Sequence, residues 1–262
     1  MKKTLIALAV AASAAVSGSA MAWTANGTGG SVDLGGTLTP ADVITPWEVK
    51  VGAAVNGLDA DIRKGDTKVD IPVKNAIPVL GIRVADATWK AFWGQPGISP
   101  NIDYHGAINV NEFSRGEVPL TLDVKNTQDQ KIGSLTVKLS AGAEYAYYNP
   151  STDLGGKYMV YQNGAGELFF GGLGTNSNAI SSNAWGLANS LDPEFTANYN
   201  DFGVTQASNP YYAYVGNTAL NYSAFYASGV EQGKTIKITL EQPAASDAIA
   251  WKASLPITVS YQ

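Results

Sequence analysis

Alternation of apolar and polar residues, repeated along most of the chain, constrains the fold more than any other feature. In one unbroken run, Leu135, Val137, Leu139, Ala141, Ala143, Tyr145 and Tyr147 share a parity. Side chains of a strand point to opposite faces with period two, so this run predicts a long strand with one face in a core. The pattern returns at Trp47, Val49 and Val51, at Val69, Ile71 and Val73, and at Leu80, Ile82 and Val84. It recurs at Leu120, Leu122 and Val124, at Ile236 and Ile238, and at Leu255, Ile257, Val259 and Tyr261. Turn-forming residues separate the runs, at Lys64-Gly65-Asp66, Gln128 to Gly133 and Glu231-Gln232-Gly233. Many short strands between Gly-rich turns predict an all-β sandwich. Residues 149–210 depart from the pattern. They are rich in Gly, Asn and Ser, and helical spacing occurs only over Ala179 to Leu191, so they read as an insertion of loops with one short helix.

Residues 1–22 have the form of a secretory signal peptide. Lys2 and Lys3 are its basic start, Leu5 to Val16 its apolar stretch, and Ala20-Met21-Ala22 its small-x-small cleavage site. The apolar stretch falls short of the ~20 residues a membrane anchor needs, and no later run reaches that length. Export is therefore expected, yet the chain has no cysteine. Disulfides, thiolate zinc sites and cysteine nucleophiles are excluded, and a single histidine excludes sites with two imidazoles. With 17 basic against 22 acidic residues, the charge balance argues against nucleic acid.

Motifs that carry chemistry fail on inspection. Gly229 to Thr235 is one residue short of a phosphate loop and lies between two strand patterns, where a hairpin turn fits better. Asp59-Ala60-Asp61 opens like a calcium loop, but Arg63 and Asp70 occupy later ligand positions wrongly. His105 has no nucleophile-elbow serine to activate, and the spacing of Glu112 and Glu117 does not single them out as a glycosidase pair. No catalytic residue, metal or cofactor is expected.

The two ends carry the strongest signal. After the Gly-rich start Trp23 to Gly30, the segment Ser31 to Leu38 alternates, with Val32, Leu34 and Leu38 pointing one way and Gly36 a gap in the same row. Such a segment can be the first strand of its own sheet, or it can reach into the sheet edge of another chain, where main-chain hydrogen bonds give affinity and alternate side chains fill pockets. The C-terminal run Leu255 to Gln262 is an alternating strand with a penultimate Tyr. Outer-membrane barrels need strands of ~9–11 residues with a lipid-facing band, so a soluble sandwich ending in a core strand is the better reading.

Both ends resemble kappa-class chaperone–usher fimbrial subunits, the Fae-type or K-eighty-eight antigen group. The residues that carry the likeness are Gly30-Ser31-Val32-Asp33-Leu34-Gly35-Gly36, Trp47-Glu48-Val49-Lys50-Val51-Gly52 and Asn56-Gly57-Leu58. Leu80-Gly81-Ile82-Arg83, Asp103-Tyr104, Ile132-Gly133-Ser134-Leu135 and Phe170-Gly171-Gly172-Leu173 follow in order. Ala224 to Gly229, Gly233-Lys234-Thr235-Ile236, Trp251 and Ala253 to Tyr261 complete the set. The likeness is faint between about Tyr148 and Tyr214.

The resemblance implies an incomplete immunoglobulin-like sandwich of the pilin type, completed by donor-strand exchange. On that basis residues 1–22 are the signal peptide, 23–39 a donor-strand extension, and 40–262 the sandwich with its insertion at about 149–210. Val32, Leu34 and Leu38 would plug a neighbour's groove, with Gly36 where no side chain fits. Leu255, Ile257, Val259 and Tyr261 would line this subunit's own groove and be read by a periplasmic chaperone. The implied partners are that chaperone, an outer-membrane usher and neighbouring subunits, and the implied destination is the fimbrium at the cell surface. Because the chain departs from the family over the insertion, a minor subunit needed for fimbria biogenesis is expected. The alternative is a major subunit that is itself an adhesin for host glycans, with Trp185, Tyr211 and Tyr212 as candidate receptor contacts. An exported glycan-acting enzyme is the competing class.

Overall fold

The computed structural model describes residues 34–37, 44–245 and 247–262. The chain divides into two units, Met1–Val43 and Ile44–Gln262. The first is described only at 34–37, where the backbone has no regular structure and Leu34 is almost fully exposed. The signal-peptide segment, Val32 and Leu38 lie outside the described residues.

Twelve strands and one α-helix make up the described part of the second unit. In chain order the strands are β1 (Trp47–Val51), β2 (Lys68–Pro72), β3 (Ile77–Val84), β4 (Phe92–Trp93), β5 (Pro100–Asp103) and β6 (Glu117–Lys125). They continue with β7 (Lys131–Asn149), β8 (Leu154–Val160), then helix α1 (Ala184–Leu191), β9 (Ser208–Tyr211), β10 (Asn221–Val230), β11 (Thr235–Leu240) and β12 (Thr258–Tyr261). The protein is thus an all-β sandwich with one short helix, as its alternation predicts.

The 19 residues of β7 organise the main sheet. Its first half pairs with β6 on one side and β11 on the other; its second half pairs with β8 and β10. The order β1-β3-β10-β7-β11-β2 therefore runs through one strand that changes partners midway. The first half keeps a strict buried/exposed alternation. Residues 139–146 of β7 and all ten residues of β10 are buried, on both faces. Small residues make this possible: Ala141, Gly142, Ala143 and Ala146 in β7, and Ser223, Ala224, Ala227 and Ser228 in β10. One face meets the main core, where Leu80, Ile82, Leu139, Ile236 and Tyr226 pack together. The other carries α1, whose Ala184, Leu187, Ala188 and Leu191 pack with Phe195 against Phe225 and Ala227. Each buried leucine of this layer contributes ~1.5–3 kcal/mol. The fit is close. A Cβ on Gly142 would lie 3.0 Å from the Ala184 Cβ, and one on Gly81 would fall 2.1 Å from the Phe195 ring.

The helix begins where Asn183 accepts a hydrogen bond from the Gly186 N–H at 2.9 Å, so it starts at Ala184, five residues after the Ala179 start the sequence suggests. The insertion also contains more than loops, because β8 joins β7 and β9 joins β8 in parallel. Gly229 to Thr235 is not the hairpin turn its residues suggest: β10 and β11 do not pair with each other but both run antiparallel to β7, Gly229 opposite Ser140 and Lys237 opposite Thr136, so the chain keeps its direction through a bend with Gly233 at φ +85°.

Glu144 projects from β7 on the face shared with Phe225, beneath the first turn of α1. Burial holds its carboxyl above the ordinary 4.5, although Lys157 and the Trp185 backbone N–H favour the charged form. Above pH 4.5 the unfolded chain loses this proton while the folded chain keeps it. Stability is therefore expected to fall as pH rises through the window between the two values. Glu144→Gln should flatten that slope in thermal melts across mildly acidic pH. An unchanged slope would show that another group is responsible.

Candidate strand-acceptor groove

From Trp251 to Gln262 each odd-numbered residue is half-buried and each even-numbered one exposed. The odd row is Trp251, Ala253, Leu255, Ile257, Val259 and Tyr261, and all six pack on the main core without any being covered by it. The ordered strand is shorter than the alternation suggests. The strand itself is Thr258–Tyr261, with Lys252 bridged separately to Lys125 at the end of β6, so Leu255 and Ile257 share the row but not the strand; Pro256 between them has no N–H to give a ladder.

β12 is held on one side. It runs antiparallel to β5, with Tyr261 opposite Pro100 and Thr258 opposite Asp103. Gln262 and Ser99 exchange both backbone hydrogen bonds, at 3.1 and 3.0 Å. Antiparallel pairs alternate, so the even-numbered residues of β12 bond to β5, while the N–H and C=O groups of Ile257, Val259 and Tyr261 face the opposite edge. Among the described residues no strand occupies that edge. A free strand edge above half-exposed apolar side chains is unfavourable in water and is a template for another strand.

The segment 52–67 is the candidate for a second wall. It crosses from β1, at one margin of the main sheet, to β2, at the other, and forms no strand over residues 53–63. Leu58 and Ile62 from this segment are half-buried against the same core as the odd row.

Several features fix β5, and through it the groove. Ile102 N–H donates to the Phe170 carbonyl at 2.7 Å and Phe169 N–H to the Pro100 carbonyl at 2.8 Å. Gly171 sits at φ +87°, and a Cβ there would meet the Ile102 carbonyl oxygen at 1.9 Å, so glycine at 171 is required for this approach. The Tyr104 hydroxyl lies 2.9 Å from that of Tyr226 and 2.7 Å from the Ser228 hydroxyl. Tyr226 in turn donates to the Gly172 carbonyl at 3.0 Å. Burial pushes the Tyr104 phenol up to about 12, so this network stays neutral. His105 has its ring 2.8 Å from the Thr258 hydroxyl and tacks β12 to the turn after β5.

Comparison with known proteins shows the family of the chain. The fimbrial family described as "Fimbrial, major and minor subunit", of K88 type, matches residues 1–262. The chain belongs to the K88 fimbrial family. It is 32% identical to K88 fimbrial protein AB of Escherichia coli over 286 residues, covering all of both chains. K88 fimbrial protein AC of the same organism is also 32% identical, and the F41 fimbrial protein 31%, again over full lengths. The protein is accordingly a fimbrial structural subunit that associates with other fimbrial subunits, and not an enzyme. Its place is the surface fimbrium, and among the described residues no helix is long and apolar enough to cross a membrane.

In this fimbrial subunit the four C-terminal residues named from sequence, Leu255, Ile257, Val259 and Tyr261, do fall on one row. Of the N-terminal row, Leu34 is exposed and nothing lies within 4 Å of where a Gly36 Cβ would stand. Leu58 and Ile62 escape the sequence reading because the segment lacks alternation; Asn56-Gly57-Leu58 was its only trace. The receptor candidates separate. Tyr211 stacks on Tyr212 at 4.5 Å and meets Tyr158 at 6.0 Å, and Tyr161 and Tyr214 both pack against Tyr212. Trp185, on α1, shares no ring contact with them.

Proposed function

We propose that this subunit polymerises by donor-strand exchange. Residues 31–38 of one chain enter the groove of the next, pairing with the free edge of β12 and setting Val32, Leu34 and Leu38 among Leu58, Ile62, Leu255, Ile257, Val259 and Tyr261. The observation that carries this reading is the unpaired edge of β12 above a row of half-exposed apolar side chains. The contact is heterologous and does not close on itself, so it extends a filament. It also supplies stability across chains in a protein without cysteine. Before assembly the same edge needs a temporary strand, the role of a periplasmic chaperone, and handover takes place at an outer-membrane usher. The chain's place would be that of a minor subunit that serves fimbria biogenesis, a reading that rests on the faint resemblance of residues 149–210 alone.

Co-expression tests the reading. The full chain should accumulate folded only with its chaperone, and should be degraded or aggregated alone. A stable, folded monomer made without any chaperone would contradict it.

A second reading, an adhesin, draws on the tyrosine cluster, where Tyr211 and Tyr214 present exposed rings beside stacked partners. Exposed aromatic faces suit the apolar faces of sugars. A glycan array on assembled fimbriae decides it: binding lost in Tyr211→Ala with Tyr212→Ala supports an adhesin, and binding that survives both places any receptor site elsewhere.

A further inference from the structure

Trp89 and Trp93 stand side by side, with ring centroids 6.3 Å apart and planes tilted by 50°. They remain 40% and 54% exposed. A covered aromatic side chain buries some 150–250 Å², so the open parts of these two offer on the order of 200 Å². The loop that bears them is fixed. The Asp86 carboxylate accepts from the backbone N–H groups of Thr88 and Trp89 at 2.8 and 2.9 Å, and the Asn200 side-chain amide donates to the Trp89 carbonyl at 3.1 Å. Trp93 is held in β4, opposite Asn221 of β10. Two rigid, adjacent, half-exposed tryptophans form a preorganised contact surface.

Their position indicates what covers them. The chain enters the sandwich at Pro46, whose carbonyl accepts from Ala85 N–H at 2.8 Å, and Trp47 pairs with Val84. Phe225 of β10 is level with Arg83, and Asn221, level with Trp93, lies four residues farther along that strand. The tryptophan pair thus stands about 10 Å beyond Trp47, at the end of the sheet where the N-terminal segment joins. Residues 39–46 connect Leu38 to Trp47 and span at most about 30 Å when extended. A neighbour that holds Leu38 is tethered within that radius, and the patch lies inside it, so even a small contact forms at high effective concentration.

We propose that Trp89 and Trp93 are a docking surface for the neighbouring fimbrial subunit that takes up this chain's N-terminal segment. The proposal rests on the donor-strand reading and adds to it a second contact that stiffens the joint between successive subunits. The test is hydroxyl-radical footprinting of intact fibres assembled from the full chain, with Trp185, 52% exposed on α1, as the internal reference. Trp89 and Trp93 are expected to oxidise several-fold more slowly than Trp185. Fibres in which all three oxidise alike would overturn the docking surface and leave strand exchange standing; failure to form fibres at all would overturn both. Fibres of the Trp89→Ala/Trp93→Ala variant should still form but separate into subunits at lower temperature. Unchanged dissociation, or loss of sugar binding in its place, would refute the proposal.

Discussion

Deleting residues 23–38 is expected to abolish fibre growth by the truncated chain while leaving its own groove able to accept a strand. The two halves of the joint lie on different parts of the polypeptide. On the donor-strand proposal the acceptor is β12 with the segment around Leu58 and Ile62, none of which the deletion touches. The donor row consists of Val32, Leu34 and Leu38. Burying three such side chains contributes roughly 5–9 kcal/mol, and losing even 5 of these lowers affinity by more than a thousandfold. Mixed with intact chains, the truncated subunit should therefore cap fibres at one end and shorten them in proportion to its amount. Electron microscopy of the mixtures gives the length distribution. Fibres of normal length from the truncated chain alone would remove the N-terminal segment from the mechanism.

Val259→Asp should produce the opposite defect, a chain that donates and does not accept. Val259 projects into the half-covered row, and its backbone groups face the free edge. A carboxylate there would be buried beside the incoming strand without a partner, at an effective cost of several kcal/mol. Incorporation should fall by about a hundredfold or more, since each 1.4 kcal/mol is a factor of ten. The neighbouring Ser260→Asp is the control, because Ser260 points outward and such surface changes usually stay within about 0.5 kcal/mol. Assembly rates of the two variants, measured side by side, should differ sharply. Equal behaviour would mean that the parity of the C-terminal strand does not define an acceptor face.

Much of this was legible in the sequence, and the gaps have physical causes. The run from Leu135 to Tyr147 announced β7 because each strand position on a core face must be apolar and the period is two. The same logic found the row Leu255 to Tyr261. It could not find that β5 is the partner of β12, since pairing across 150 residues leaves no local mark. It missed β8 and β9 because Leu154-Gly155-Gly156 and Ser208-Asn209-Pro210 have no alternation; these strands are set by their neighbours. It began the helix at Ala179, whereas the Asn183 cap starts it at Ala184. Leu58 and Ile62 went unnoticed for a related reason: they belong to a segment that lacks a ladder, and a strand without its neighbour does not show the regular pattern of one that has it. The tryptophan pair was invisible, since nothing in Trp89-Lys90-Ala91-Phe92-Trp93 says which rings face solvent.

The central claim is that one chain's N-terminal row lies in the next chain's groove beside β12. Cysteine cross-linking measures this directly, because the chain has no cysteine of its own and any disulfide formed must join the introduced pair. Leu34→Cys is combined in turn with Leu255→Cys, Ile257→Cys and Val259→Cys, and intact fibres are oxidised and run on a non-reducing gel. At least one combination should yield a ladder of covalently linked subunits, absent from each single-cysteine chain apart from its paired dimer. Fibres that assemble normally yet give no ladder with any of the three would contradict the account.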